Sequence, residues 1–331
     1  MQQVALFGSG FIAGSHAASY AAIDDAELVA IASLDDDKDE FAAEHAPDAE
    51  TFDDAESLLD AVDPDVVDVA TPTHTHRELV ELAADRGYDV LCEKPIASTL
   101  ADAQAIQAVA EENDVTFMVG HAVRFSAPYR RIKDLVDDGE VGTPGVVRAS
   151  RVGPFPDWGW QNWFGDMDKS GGVLLDLVIH DFDFLRWTVG DVERVHATTE
   201  TWTDDGDLMD HAVAILRFED GTVAHVEGSW AQPESRTFQF SIEVAGDEGL
   251  LEFDGGAMRP FELYAGDDAE VANPMDETPM QAELEHFLAC CEGDDEPLVS
   301  VGDAIDAARV SLAALESAER GKPVAVSEVK A

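Results

Sequence analysis

The chain has 331 residues, 45% of them hydrophobic, which exceeds one typical domain and suffices for two buried cores. Its 70 acidic residues against 20 basic ones leave a formal net charge of −50, so nucleic acid and anionic membranes are disfavoured as partners. No stretch approaches the roughly 18 to 20 continuous apolar residues of a membrane span, and the opening residues form a strand pattern rather than a leader, so a cytoplasmic location is expected.

The acids are spread along Ala- and Val-rich periodic elements instead of forming one disordered block, so the folded surface itself is acidic. Its self-repulsion opposes compaction unless salt shortens the Debye length to about 3 Å near 1 M. A halophilic, salt-rich cytoplasm is the expectation. Cys92, Cys290 and Cys291 are odd in number and two are adjacent, which suits free thiols better than disulfides or a metal knuckle.

In chain order, the short apolar runs Val4 to Phe7, Leu28 to Ala32, Val66 to Ala70, Val90 to Cys92 and Thr116 to Val119 alternate with helical patterns. This predicts βαβ units and a parallel sheet over residues 1–121. The helical stretches include Thr73 to Arg86 and Thr99 to Asn113, the latter opening on Ser98 or Thr99 as cap. From residue 122 to 331 the grammar changes. Ala127 to Asp137 predicts a helix, and a Gly-, Pro- and Trp-rich region follows up to Phe164. The alternating runs His196 to Trp202, Ala212 to Phe218, Val223 to Trp230, Thr237 to Val244 and Leu250 to Phe253 then predict an antiparallel sheet, with Asp220-Gly221 as a hairpin turn. Helices near Met280 to Cys290 and Gly302 to Arg320 close the chain, with Gly321 as the stop. The fold class is thus an α/β Rossmann domain followed by an α+β domain with a large, mainly antiparallel sheet.

Gly8-Ser9-Gly10-Phe11-Ile12-Ala13 follows the first strand and opens a helix, the context of a dinucleotide fingerprint. Gly8 permits the turn, Gly10 lets backbone approach a pyrophosphate, and the helix N-terminus stabilises the phosphates. Ala13, small, allows close packing on the strand. At the end of the second strand, Ser33 stands where an acid specific for NAD is expected, yet no arginine follows to grip a 2′-phosphate and Asp35 to Asp37 repel one. The cofactor is therefore NAD(P), with a slight lean to NADP.

Asp176 and His180 are four apart and on one helix would share a face, behind Gly171 and Gly172, which leave room for close approach. Histidine suits the proton transfer that accompanies hydride loss from a secondary alcohol, so His180 is the candidate general base. Asp176, His180, Asp181 and Asp183 admit a metal-ligand reading, which one helix opposes because it cannot aim all four inward. Trp158, Trp160 and Trp163 precede this helix, and Trp163 is the candidate for stacking on a sugar ring, with ordinary packing the alternative. Arg124 follows the last Rossmann strand and either closes the substrate site or is structural.

Ala70-Thr71-Pro72-Thr73-His74-Thr75-His76, Cys92-Glu93-Lys94-Pro95 and Ser170 to Asp181, together with the glycine loop, resemble the glucose-fructose oxidoreductase, inositol dehydrogenase and MocA family over nearly the whole chain. The resemblance implies an NAD(P)-dependent dehydrogenase or reductase, requiring no metal, that acts on a sugar, polyol or related hydroxy compound. It assigns Lys94 to the nicotinamide ribose and the substrate hydroxyl, where it stabilises alkoxide charge. Asp176 then bonds a second substrate hydroxyl or orients Lys94. Thr71, Pro72, His74 and His76 would border the nicotinamide, as would Glu93 through backbone or side chain. Thr73 departs from the usual Asn. Assembly as a homo-dimer or homo-tetramer through the outer face of the second sheet is also implied. A coenzyme-binding sensor without turnover and a reductase for an aromatic or diketone substrate are the competing readings.

Overall fold

The computed structural model describes residues 1–202, 208–257, 261–265, 268–272 and 278–331. Strands β1 (Gln2–Phe7), β2 (Ala26–Ala32), β3 (Glu50–Phe52), β4 (Val66–Val69), β5 (Asp89–Glu93) and β6 (Phe117–Gly120) form a parallel sheet in the order β3-β2-β1-β4-β5-β6. Parallel pairing requires crossovers, supplied by α1 (Phe11–Tyr20), α2 (Lys38–His45), α3 (Ala55–Ala61), α4 (His76–Ala84) and α5 (Leu100–Asn113). With helices on both faces, β4 and β6 are buried at every position, so they read as apolar runs rather than alternations. The chain winds outward from β1 to β3 and then crosses to β4 on the other side of β1. At that switch a crevice opens beyond the carboxyl ends of β1 and β4.

Thr99 is the cap of α5, its Oγ1 accepting from Asp102 N at 3.1 Å, while the Ser98 hydroxyl donates to the Lys169 carbonyl oxygen. α4 begins at His76, later than expected, because Thr73–Thr75 is a 3-10 turn.

A 3-10 turn at Ala122–Phe125 leads into α6 (Ala127–Asp137), then β7 (Pro144–Pro154), α7 (Met167–Ser170), α8 (Gly172–Asp176) and α9 (Ile179–Val189). There follow β8 (Val192–Glu200), β9 (His211–Phe218), β10 (Val223–Gln232), β11 (Gln239–Gly246), β12 (Leu250–Asp254), the hairpin of β13 (Phe261–Ala265) and β14 (Asp268–Ala272), α10 (Pro279–Glu292), α11 (Val301–Arg320) and β15 (Val324–Ala325). The second sheet runs β12-β11-β7-β10-β9-β8-β15, antiparallel except for the parallel pair β7 and β10. β7 lies in the Gly-, Pro- and Trp-rich region, where the sequence predicts no strand. Its inward position 151 carries an arginine, buried on Asp181, so apolar alternation fails there.

In β9 the inward residues Ala212, Ala214, Leu216 and Phe218 are buried while His211, Val213, Ile215 and Arg217 face outward. α11 packs on β8 and α9, and the Ser317 hydroxyl accepts from Ala197 N. Ser300 caps α11 in a capping box with Asp303, and Gly321 ends it in the left-handed region at φ 61°. α10 instead returns to the first lobe, where it packs on α1 and on the Ala122–Phe125 turn. Gln2 Nε2 donates to the Leu288 carbonyl oxygen across that contact. Among the described residues no helix is long and apolar enough to cross a membrane.

Candidate active site

A cleft of about 1380 Å³ lies at the carboxyl edge of the first sheet, between the two lobes. This exceeds the roughly 300 to 1,000 Å³ of a pocket for one small ligand and leaves space for a dinucleotide with a second molecule. Gly8, Ser9, Gly10, Phe11 and Ile12 line one end. Gly8 adopts φ 118°, and a Cβ there would collide with the Ala70 carbonyl oxygen. The first turn of α1 has no side-chain cap and no acidic residue, so its amides and positive dipole end are left for an anion. Ala13 packs with Leu6, Ala17 and Ile31. These features fit a coenzyme pyrophosphate.

Ser33 Oγ stands 2.7 Å from Ser9 Oγ and accepts from Asp35 N. Asp35, Asp54 and Glu56 also line the cleft, so acids rim it beyond Ser33. Thr71 and Pro72 follow β4 along its wall, and the Thr71 and Thr75 hydroxyls are 2.8 Å apart.

At the other end, Lys94 extends from the tip of β5. Its Nζ donates to the Asp176 carbonyl oxygen at 2.8 Å and to Asp176 Oδ1 at 3.1 Å. Burial pushes the Asp176 carboxyl up, against the pull of Lys94. His180 lines the same cleft, with Nδ1 buried and without a hydrogen-bond partner among the described residues. Burial first, then the charges of Lys94 and Arg151 and the ring of His121, push its pKa well below the usual value. The ring is therefore neutral at neutral pH and can accept a proton.

The arrangement corrects several expectations. Asp176 and His180 do not share one helix: α8 ends at Asp176 and α9 starts at Ile179, and Val178 N bonds back to the Val173 carbonyl oxygen. The break still sends both side chains to the cleft. Asp181 and Asp183 point elsewhere, Asp181 to Arg151 and Asp183 to Arg124, each through two nitrogens. Arg124 does not line the cleft; it is 2% exposed and also bonds the Leu298 carbonyl oxygen and Asp303.

His74 is exposed and outside the cleft lining, and His76 is buried behind it. His76 Nδ1 lies 3.0 Å from the Pro95 oxygen and Nε2 2.9 Å from the Thr71 oxygen. Burial keeps this ring neutral, so it donates to one of the two while joining the loops after β4 and β5. Neither histidine lines the cleft.

Trp163 lines the cleft and stacks on Phe164, with ring centroids 4.0 Å apart. Trp158 and Trp160 line it too, and Trp158 reaches Phe11 of the glycine loop at 4.7 Å. Phe155 and Trp230, which sequence reasoning missed, complete the aromatic wall. Trp230 ends the alternating run Val223 to Trp230 at an inward position of β10, and that register was the available signal.

Also missed was a buried polar cluster behind Lys94. His16 Nδ1 lies 2.7 Å from Asp68 Oδ2, and His16 Nε2 lies 3.2 Å from Glu93 Oε1. The Tyr20 hydroxyl donates to Asp68, and Glu93 Oε2 accepts from Lys94 N. An acid inside the run Val66 to Ala70 was its sequence signature.

Comparison with known proteins agrees with this geometry. Residues 2–121 match the model described as oxidoreductase family, NAD-binding Rossmann fold, and residues 129–252 match the GFO/IDH/MocA C-terminal domain. D-apiose dehydrogenase of Paraburkholderia graminis is 30% identical over 99% of this chain and 90% of its own. D-xylose 1-dehydrogenase (NADP(+)) 2 of Haloferax volcanii is 30% identical over 90% of this chain and 91% of its own. The crystal structure of a probable dehydrogenase from Thermotoga maritima superposes with a TM-score of 0.85 at 28% identity, covering 99% of this chain and 100% of that one. With both lobes matched, glycine loop and Lys94 segment included, the chain belongs to the GFO/IDH/MocA oxidoreductase family.

Proposed function

We propose that this chain transfers hydride between the nicotinamide of NAD(P) and a secondary alcohol or carbonyl of a sugar or polyol. The carrying observation is that the glycine loop, Lys94, Asp176 and His180 line a single cleft, with Lys94 Nζ fixed on Asp176. The bound nicotinamide would supply the hydride acceptor or donor. His180, held neutral, takes the hydroxyl proton as the alcohol is oxidised. Lys94 presents positive charge to the oxygen on which negative charge develops, and the aromatic wall excludes water and strengthens that attraction. Asp176 orients Lys94, while Trp163 offers a face to the apolar side of a sugar ring. Sugar names among the relatives, D-apiose and D-xylose, support this substrate class.

The finer assignment favours NADP. Ser33 carries no charge where an acid would exclude a 2′-phosphate, and one relative is named for NADP(+). Asp35, Asp54 and Glu56 act against it, but their repulsion is screened in a salt-rich cytoplasm, the setting that the charge of −50 favours. KM for NADP should therefore fall more steeply with KCl than KM for NAD. The outer face of the second sheet exposes Val146 and Ile215 beside Arg194, His196 and Arg217, a surface suited to pairing copies of an otherwise acidic chain. Ile215→Asp is expected to lower the mass seen by light scattering.

Absorbance at 340 nm over a panel of sugars and polyols, with each coenzyme in molar KCl, tests the main reading. Turnover on at least one member is expected. Tight coenzyme binding with no turnover on any would support the sensor instead.

A further inference from the structure

We propose that His16, braced by Asp68, is a positioning residue for Lys94 and acts through the Glu93 carboxylate. A continuous chain of bonds runs from α1 to the cleft: Asp68 Oδ2 to His16 Nδ1 at 2.7 Å, His16 Nε2 to Glu93 Oε1 at 3.2 Å, Glu93 Oε2 to Lys94 N at 2.9 Å, and Lys94 Nζ to Asp176. His16 and Asp68 are 0% exposed, and Glu93 is 7% exposed. Glu93 is thus held at both oxygens, one by the histidine and one by the backbone that carries Lys94. Gly120 on the neighbouring β6 makes room for this pose, since a Cβ there would stand 3.2 Å from Glu93 Oε1. Because α1 also presents the phosphate-binding turn, the helix that receives the coenzyme is the one that steadies the lysine.

The cluster also balances charge. Burial alone would strip the His16 proton, but Asp68 and Glu93 outweigh it, and the ring sits as a cation between two carboxylates. Of the other groups facing the cluster, burial holds the Tyr20 phenol and the Cys92 thiol in their protonated forms and the His121 ring in its neutral form, and it pushes the Glu283 carboxyl of α10 well up from the usual carboxylate range. Asp68, His16, Glu93 and Lys94 therefore alternate in sign. Neutralising His16 leaves both Asp68 and Glu93 uncompensated and so deepens the negative charge behind Lys94, which favours the protonated forms of Lys94 and His180.

Two substitutions separate the bond from the charge. Asn at position 16 reaches like Nδ1 and keeps Asp68, whereas Gln reaches like Nε2 and keeps Glu93; both remove the charge. His16→Asn should lower kcat by about 10²-fold, the scale of a misplaced catalytic group, while His16→Gln retains most of it. Both should move the ionisations of the kcat/KM pH profile upward, and Glu93→Gln should move them downward. Coenzyme affinity and Tm serve as controls for folding. Equal losses in the Asn and Gln variants, or pH profiles that stay in place in folded variants, would overturn the proposal.

The inference rests on Lys94 being the working lysine, so its ionisation is read separately. NMR titration of 13C-lysine-labelled protein is tractable because the chain has only six lysines. The Lys94 resonance should titrate at higher pH in both His16 variants. That shift in a protein inert towards every sugar would sink the proposed function and leave the positioning role standing. An unmoved resonance sinks the positioning role, whatever the turnover.

Discussion

A histidine serves as a base only while its ring is neutral, and burial together with the positive charges of Lys94 and Arg151 keeps His180 so. Alcohol oxidation loses its base as pH falls through the His180 pKa, which lies well below the usual imidazole value of about 6.5. The acid limb of kcat/KM should therefore fall below that pH. A limb at or above it would remove His180 from the role. Replacing Lys94 or His180 by Ala should slow turnover by about two orders of magnitude or more and leave coenzyme binding in place. Glu283 offers a stability test. Both its carboxyl oxygens are buried without partners among the described residues, and burial raises its pKa well above the usual value. A raised pKa means that the folded state holds the proton more tightly. This contribution to stability is full below the unfolded value of about 4.3 and is lost as pH rises through the folded one. Glu283→Gln, which mimics the protonated acid, should flatten the fall in Tm as pH rises above the unfolded carboxylate value.

The elements that position these groups were legible to different degrees. Five of the six Rossmann strands could be found because each is an apolar run between helical patterns, whereas β3, a short Glu-Thr-Phe segment, carries no such run. α6 could be found from its periodicity, and α11 from its periodicity and its Gly321 stop. β7 was not legible, since Arg151 occupies an inward position and only the partner Asp181, 30 residues away, explains it. The break between α8 and α9 was hidden for a related reason: a spacing of four is compatible with one continuous helix, and only the backbone path at Leu177 and Val178 departs from it. The His16 cluster required knowing that β4 lies beside both β1 and β5, which is a matter of sheet order and not of local sequence. Of the site itself, the Lys94, Asp176 and His180 positions converge on one cleft, whereas Arg124 and His76 are held by structural partners and His74 is exposed outside the cleft lining. Gly228 in β10 tests how finely the helix break is placed, because a Cβ there would collide with Val178 Cγ2. Gly228→Val should push the α8 to α9 junction off the sheet and lower kcat by about 10²-fold, with little effect on coenzyme affinity.

For the whole molecule, the charge of −50 sets the conditions under which any of this can be measured. Many acids, such as Asp36, Glu44 and Glu193, are exposed on the surface, where ionic screening is most effective. Tm should climb as KCl is raised from dilute buffer towards molar concentrations. A Tm independent of salt would refute the reading of the surface as salt-adapted. The path of the chain adds a mechanical constraint. Because α10 returns to α1 before α11 rejoins the second lobe, the polypeptide passes between the lobes three times. Bodies joined by one strand of chain can swivel freely, whereas bodies joined at several separated points move like a door, about a line through their attachments. Opening for coenzyme exchange is thereby confined to a narrow arc, and each closure returns Lys94 and His180 to the same mutual pose.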